Sequence, residues 1–333
     1  MNVNMSGEGA AAAGSGLGIK IPGLVSGGTE APAERETISN EELEKLQAIN
    51  RQTWKDRMKS YRRTPGSFVL FVLVGLAALL TAAVLVFLIA YILVKGVPYL
   101  TPELFSWEYT SDNCSVVPAM INTLLMALLA LLAAVPFGIF SAIYLVEYAK
   151  KGNFLVKVIR ITAETLTGIP SIVYGLFGML FFVTYLKWNY SLLAGALTLA
   201  IMILPVILRT TEEALLAVPD SFREGSFGLG AGKLRTVFRI VLPSAVPGIL
   251  SGVILATGRI VGETAALIYT AGSVAKIPKN IFSSTRTLAV HMYDLSNEGL
   301  HVNQAYATAV VLLVVVMVIN LISSTLAKKI AKK

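Results

Sequence analysis

The chain has little charge, almost no cysteine and almost no histidine. Only 14% of its 333 residues are Asp, Glu, Lys or Arg, against about 25% in an ordinary soluble domain. A single cysteine, Cys114, excludes an intrachain disulfide, and its position suggests a plain exposed thiol. The two histidines, His291 and His301, fall with Asp294 and Glu298 in a stretch that reads as a solvated loop. No HExxH or comparable ligand spacing occurs, so neither a metal nor a cofactor is expected. The first 33 residues are rich in Gly, Ala and Ser and lack an apolar h-region, so no signal peptide is expected.

What the chain has instead is long apolar runs. Hydrophobic residues make up 55% of it, and Phe68 to Val94, Val116 to Val146 and Ser191 to Leu208 contain no charge at all. Runs of this length cross a hydrocarbon core of about 30 Å as helices of about 20 residues. Helix is the state in which such a segment satisfies its own backbone hydrogen bonds in lipid. The expected fold is all-α, a polytopic membrane protein with about six transmembrane helices. The spans read roughly as Phe68–Val94, Ala119–Glu147, Leu166–Leu186, Leu192–Arg209, Gly248–Thr270 and Ala305–Ala327. Pro136, Pro170 and Pro205 lie inside three of them, where neighbouring helices can re-satisfy the freed carbonyls and the helix can kink.

The net charge of +8 follows the membrane. Basic residues gather before the first span (Arg51 to Arg63), between the second and third (Lys150, Lys151, Lys157, Arg160), between the fourth and fifth (Arg209, Arg223, Lys233, Arg235, Arg239) and in the tail. The opposite connections are poor in them. The positive-inside rule therefore puts both termini in the cytoplasm, and no nucleic-acid partner is needed to explain the basic balance. Residues 1–38 read as a flexible tail. Residues 39–64 read as a basic helix opened by the Ser39/Glu42 capping spacing, lying against anionic membrane lipid or equally well solvated. Residues 66–115 hold the first transmembrane helix and an outer loop, and 116–327 the remaining core.

The stretch Glu224 to Pro243, EGSFGLGAGKLRTVFRIVLP, has four glycines and a lysine in close order. A phosphate-cradling P-loop needs Gly five residues before the Gly-Lys pair and Ser or Thr after it. Phe227 and Leu234 stand there, so the loop fails. The dinucleotide fingerprint fails on spacing and on the absence of a preceding strand. The segment has another regularity: Glu224, Gly230 six residues on, then nine residues, then Ile240-x-Leu242-Pro243. This resembles the E-A-A-x-x-x-G…I-x-L-P loop of binding-protein-dependent ABC importer permeases, with Gly225 and Ser226 in place of the two alanines. The resemblance implies a type I importer permease fold whose coupling loop, 219–243, docks on a separate ATPase through Phe222, Glu224, Gly225, Ser226, Gly230, Ile240, Leu242 and Pro243. Locally, Pro219 and Asp220 can open a short helix, Gly228 or Gly230 can end it left-handed, and a second short helix, about Lys233 to Val241, stops at Leu242-Pro243. Without the resemblance, the stretch reads as an ordinary amphipathic connector.

The fifth span, GILSGVILATGRIVGETAALIYTAG, carries Arg259 and Glu263 near its middle. A charge there costs at least about 2.5–3.5 kcal/mol. Four residues apart on a helix, the two can pair, either as part of a substrate path or as a buried pair that fixes helix register. An Arg fork suits phosphate or carboxylate oxygens, and a carboxylate beside it favours an anion that still carries a proton. Gly248, Gly252, Gly258 and Gly262 allow close helix approach. Arg259-x-x-Gly262-Glu263-Thr264 is similar to the signature of phosphate-importer permeases. Gly168-Ile169-Pro170-Ser171 to Gly178 also resembles theirs, and Gly262-Glu263-Thr264-Ala265-Ala266-Leu267, followed by Tyr269-Thr270-Ala271, resembles the A-type subunit among them. The resemblance, over about Val116 to Leu326, implies a substrate path through Arg259, Glu263 and Thr264. It also implies a second, C-type permease subunit, ATP-binding ATPase subunits and an extracytoplasmic phosphate-binding protein. Three other readings stand beside it: the same architecture with another oxyanion or small solute, a membrane-embedded enzyme, and a passive channel.

Overall fold

The computed structural model describes residues 65–150 and 152–331. The tail 1–38 and the basic segment 39–64 lie outside the described residues. The chain divides into two compact units, Met1–Ala78 and Leu79–Lys333. Of the first, the described part is the start of α1 (Pro65–Gly96). The second holds the rest of α1 and everything that follows.

Five helical stretches among the described residues are long and apolar enough to cross a membrane: Gly66–Tyr99, Val117–Tyr148, Leu192–Leu216, Lys233–Val261 and Val302–Lys329. They correspond to α1, α2 (Val117–Ile143), α5 (Leu192–Leu216), α8 (Leu242–Val261, with the turns before it) and α11 (Val302–Ala331). The all-α polytopic architecture is thus as the composition required. A bent pair brings the number to six if its two arms make one span: α3 (Phe154–Thr167) and α4 (Ser171–Gly178), the latter continued by a π turn to Tyr185, meet at 104°. The third span is therefore not one continuous Leu166–Leu186 helix, and its bend falls beside Pro170, where the sequence allowed a kink. Pro170, at φ −57° and ψ 141°, stands extended before α4. A proline disfavours the helical conformation of the residue before it, so the chain turns at Gly168–Ile169.

Local signals account for the other ends. α2 takes Pro118 in its first turn, where a missing N–H removes no bond. The Ser191 hydroxyl accepts the Ala194 N–H at 3.2 Å and caps α5. Asn153 caps α3 by accepting from Leu155 at 3.0 Å. The core lies where α2, α5 and α8 pack together, with Met126, Ala130, Leu199, Ile203, Ile207 and Ala256 buried between them. Small residues set the approach. A Cβ on Gly138 would come within 2.7 Å of the Ile207 side chain, and one on Gly248 within 2.6 Å of Ala214. Gly252 sits against Thr210 just as closely. Without a hydrophobic drive between helices in lipid, this close packing is the main source of association. Gly258 has open space around it, so of the four glycines in the fifth span the first two carry the contact with α5.

Two local expectations about the outer segments change. Cys114 is fully buried, between Leu295 and Ala305. Burial pushes its thiol above the usual range, with Glu298 and Asp112 adding to the effect and Arg286 opposing it. His291 is equally buried, on α10 (Leu288–Glu298), with its Nε2 at 3.2 Å from the Cys114 carbonyl and its ring edge-on to Tyr109. Beside it Arg286 is buried against the Tyr109 ring and donates to Asp294 at 3.2 Å. Of the stretch that reads as a solvated loop, Glu298 is exposed and His301 half-buried, but His291 is packed inside with Arg286 and Asp294 beside it.

Candidate translocation site and coupling surface

Arg259 lies in the last turn of α8, which ends at Val261. The helix does not run on through Thr270 as one span. Glu263 N–H still reaches the Ile260 carbonyl at 3.1 Å, but the chain then breaks at Gly262–Thr264 and resumes as a single turn, α9 (Ala265–Ile268). This break decides the fate of the two charges. A pairing at four residues needs a continuous helix, and no ion pair joins Arg259 to Glu263 among the described residues. Instead the buried Glu263 carboxylate turns back and accepts the Ala266 N–H at 3.1 Å, which satisfies an orphan donor of α9. Arg259 is left half-buried. It stands at the negative end of the α8 dipole, which favours a cation.

Thr264 is half-buried at the break, and its carbonyl accepts the N–H groups of Leu267 and Ile268. It also borders a hollow of about 600 Å³ whose other walls include Ile92, Ile172, Tyr269, Tyr293 and Tyr306. Neither Arg259 nor Glu263 lines that hollow. Its walls are apolar, so it suits lipid or a protein face and not an anion. The structure thus places Arg259, Glu263 and Thr264 at one helix break, but their side chains face different surroundings.

The coupling segment forms the helix-turn-helix anticipated from its glycines, with one change. α6 (Asp220–Gly228) ends with Gly230 at φ +81°. The Ala231 N–H returns to the Ser226 carbonyl at 3.1 Å and the Gly230 N–H to Phe227 at 2.9 Å, the paired bonds of a Schellman end. α7 (Lys233–Thr236) then opens the return helix. That helix does not stop at Leu242-Pro243. It widens into a π turn, Val237–Val241, and continues as α8. Pro243 falls in the first turn of the new α register, where it removes no needed hydrogen bond. The coupling loop and the charged span are consequently one helical rod.

Within the loop, Phe222, Glu224 and Gly225 are exposed. So are Phe227 and Leu229, the latter 91% exposed. Ser226 is not available to a partner: it is buried, and its hydroxyl pairs with that of Thr236 at 2.8 Å, tying α6 to α7. Leu242 packs inward beside Val218, Val237 and Val241, Ile240 is half-buried and Pro243 exposed. Two residues that spacing did not single out complete the surface. Arg223 of α6 and Glu147, in the π turn Tyr144–Tyr148 that ends α2, form a mostly buried ion pair at 2.8 Å. Arg223 stands next to Glu224 in sequence, but a basic residue in a cytoplasmic loop has no mark that separates an anchor from a topology signal.

Comparison with known proteins agrees with this geometry. The family model described as "Binding-protein-dependent transport system inner membrane component" matches residues 134–333. The probable ABC transporter permease protein YqgI of Bacillus subtilis (strain 168) is 36% identical over 283 residues, 78% of this chain and 94% of that protein. The phosphate transport system permease protein PstA 1 of Mycobacterium tuberculosis (strain CDC 1551 / Oshkosh) is 39% identical over 206 residues, 61% of this chain and 67% of that one. Among solved structures, a bacterial alginate ABC transporter superposes with a TM-score of 0.61 at 16% identity, over 82% of this chain and 98% of that one, a likeness of fold alone. With the fold, the coupling motif and these relatives in agreement, the chain belongs to the binding-protein-dependent transport system inner membrane components, the transmembrane permease subunits of ABC importers that couple to an ATPase and are not themselves enzymes.

Proposed function

We propose that this chain is the A-type permease subunit of an ATP-driven phosphate importer. It would form half of the translocation path beside a C-type partner, with phosphate delivered by an extracytoplasmic binding protein. It would sit in the plasma (inner) membrane with both termini in the cytoplasm, as the distribution of Lys and Arg favours.

The observation that carries the reading is Arg259, a half-buried guanidinium at the broken end of an apolar helix with no carboxylate partner among the described residues. An isolated charge at such a depth is costly, so it marks a function by default. A passing anion supplies the missing counter-charge, and the fork of N–H donors matches the oxygens of phosphate. Glu263 spends one carboxylate oxygen on the Ala266 amide and keeps acceptor capacity for a proton-bearing anion. Ionised, it accepts hydrogen bonds and gives none, which favours hydrogen phosphate over sulfate. The similarity to PstA proteins supports the same cargo.

Reconstitution with the partner subunits and ATP-dependent uptake of labelled phosphate against sulfate tests this. Arg259→Gln should abolish uptake, and Glu263→Gln should erode discrimination against sulfate. Normal phosphate uptake in both variants would end the proposal. Strong uptake of another solute with none of phosphate would keep the architecture and change the cargo.

A further inference from the structure

The side chain of Arg223 has all of its hydrogen-bonding capacity engaged in one place. Its five N–H donors meet five acceptor contacts. Nε and Nη2 donate to Glu147 Oε1 at 3.1 and 2.8 Å, Nη2 also to the Leu215 carbonyl at 2.9 Å, and Nη1 to the Val218 carbonyl at 2.8 Å and Asp220 Oδ1 at 3.1 Å. These acceptors belong to three different parts of the fold. Asp220 is on α6 itself. Leu215 is in the last turn of α5 and Val218 just beyond it; the Leu215 carbonyl also accepts the Val218 N–H at 3.3 Å. Glu147 closes α2. Only a planar fork with five donors can serve such a set; an ammonium has three and no fixed plane.

The mechanical context extends from there. Behind the ion pair, Ile143 of α2, Leu215 and Val218 of the α5 end, and Val237 and Val241 of the π turn form one apolar cluster. α5 in turn meets α8 through Gly248 and Gly252 with no room for a side chain, and α8 carries Arg259 in its last turn. A path of rigid contacts thus runs from the exposed loop, through Arg223, into the helices that hold the charged break.

We propose that Arg223 is a positioning residue that transmits displacement of the coupling loop to α2 and α5, and through them to the Arg259 end of α8. This rests on the chain's coupling to a separate ATPase, and its test is independent of the cargo. A buried, hydrogen-bonded pair is costly to break by removing one partner, so the link is stiff. A chain of packed contacts becomes a coupling only if both ends bias the same conformational change, and that is what must be measured.

The full transporter is reconstituted with one spin label at a time. Leu234→Cys, exposed on α7, reports the loop; Leu255→Cys, exposed on α8 one turn before Arg259, reports the membrane interior. Cys114 is buried, so each introduced cysteine is the accessible thiol on this chain, and it is labelled before assembly with the partner subunits. With the unaltered pair, both labels should change on adding ATP. With Arg223→Gln, and separately with the shape-preserving Glu147→Gln, the loop label should still respond. The population of the ATP-driven state seen at Leu255 should then fall about tenfold, a change typical of site-to-site coupling. Arg223→Lys should fall between, and the double substitution should be no worse than the worse single one. An unchanged Leu255 response in Glu147→Gln, or a loss only of melting temperature, would reduce the ion pair to a structural brace and overturn the proposal. If Arg223→Gln fails to assemble, Glu147→Gln decides alone. A loop label that ignores ATP in the unaltered transporter would refute the coupling itself, a distinguishable result.

Discussion

Gly175 of α4 lies so close to Ala266 of α9 that a Cβ on the glycine would stand 2.8 Å from the Ala266 Cα. The two backbones are in contact three residues beyond Glu263, and this contact holds the resumed turn of the broken fifth crossing against the bent third one. The neighbour is backbone, so it cannot swing aside as a side-chain tip could.

Gly175→Ala should therefore displace α9 and the Glu263 cap. The expected cost is about 1–3 kcal/mol, as for other overpacked sites, with a lowered melting temperature and reduced uptake in the reconstituted transporter. Gly258→Ala, on α8 with nothing within 4 Å, should melt no lower than the parent, since alanine is the better helix former by about 0.5–1 kcal/mol. Equal melting temperatures for the two variants would contradict the close approach.

Gly230 holds φ +81° at the end of the coupling helix. A β-branched residue there is strained by about 1–3 kcal/mol, and the strain falls on the turn that presents Leu229. Gly230→Val should lower uptake driven by ATP while the purified subunit keeps its helical content by circular dichroism. Gly230→Asn, which tolerates the left-handed region, should retain most uptake. Uptake lost equally in both would point to a side-chain clash with the partner and not to the backbone.

His291 gives a pH dependence with a definite sign. Burial, helped by the Arg286 charge and opposed by the hydrogen bond to the Cys114 carbonyl, lowers its pKa from 6.5 to about 3. The unfolded chain therefore takes up a proton below about pH 6.5 that the folded chain refuses until about pH 3. Stability should fall as the pH drops through that window, by about 2 kcal/mol from this group alone at pH 5. Thermal unfolding of the detergent-purified protein between pH 5 and 8 measures it. His291→Gln should flatten the acid side of the curve; an unchanged slope would mean that the ring is hydrated.

The apolar runs alone sufficed to define an all-α chain with about six crossings, because the cost of unpaired backbone in lipid leaves helix as the state for such segments. The end of α6 was legible for a similar reason: Gly230 is a residue for which the left-handed conformation is cheap. The charges Arg259 and Glu263 stood out by their depth, and desolvation cost alone marks them as candidates for a role. None of these depends on what lies across the fold.

Tertiary contact decided the rest. A four-residue spacing allowed an Arg259–Glu263 pair, but α8 ends at Val261, the resumed turn α9 packs against Gly175, and Glu263 caps Ala266 instead. Leu242-Pro243 looked like a stop, but the π turn before it shifts the register and lets the rod continue. Cys114 and His291 looked solvated because their own segment is polar; α10 and α11 bury them. Arg223 looked like one more cytoplasmic charge until Glu147, 76 positions earlier, closed on it. Composition and short spacings report the cost of placing a residue in lipid or in a turn. Partners brought together from distant parts of the chain are chosen by packing, and only the folded arrangement discloses them.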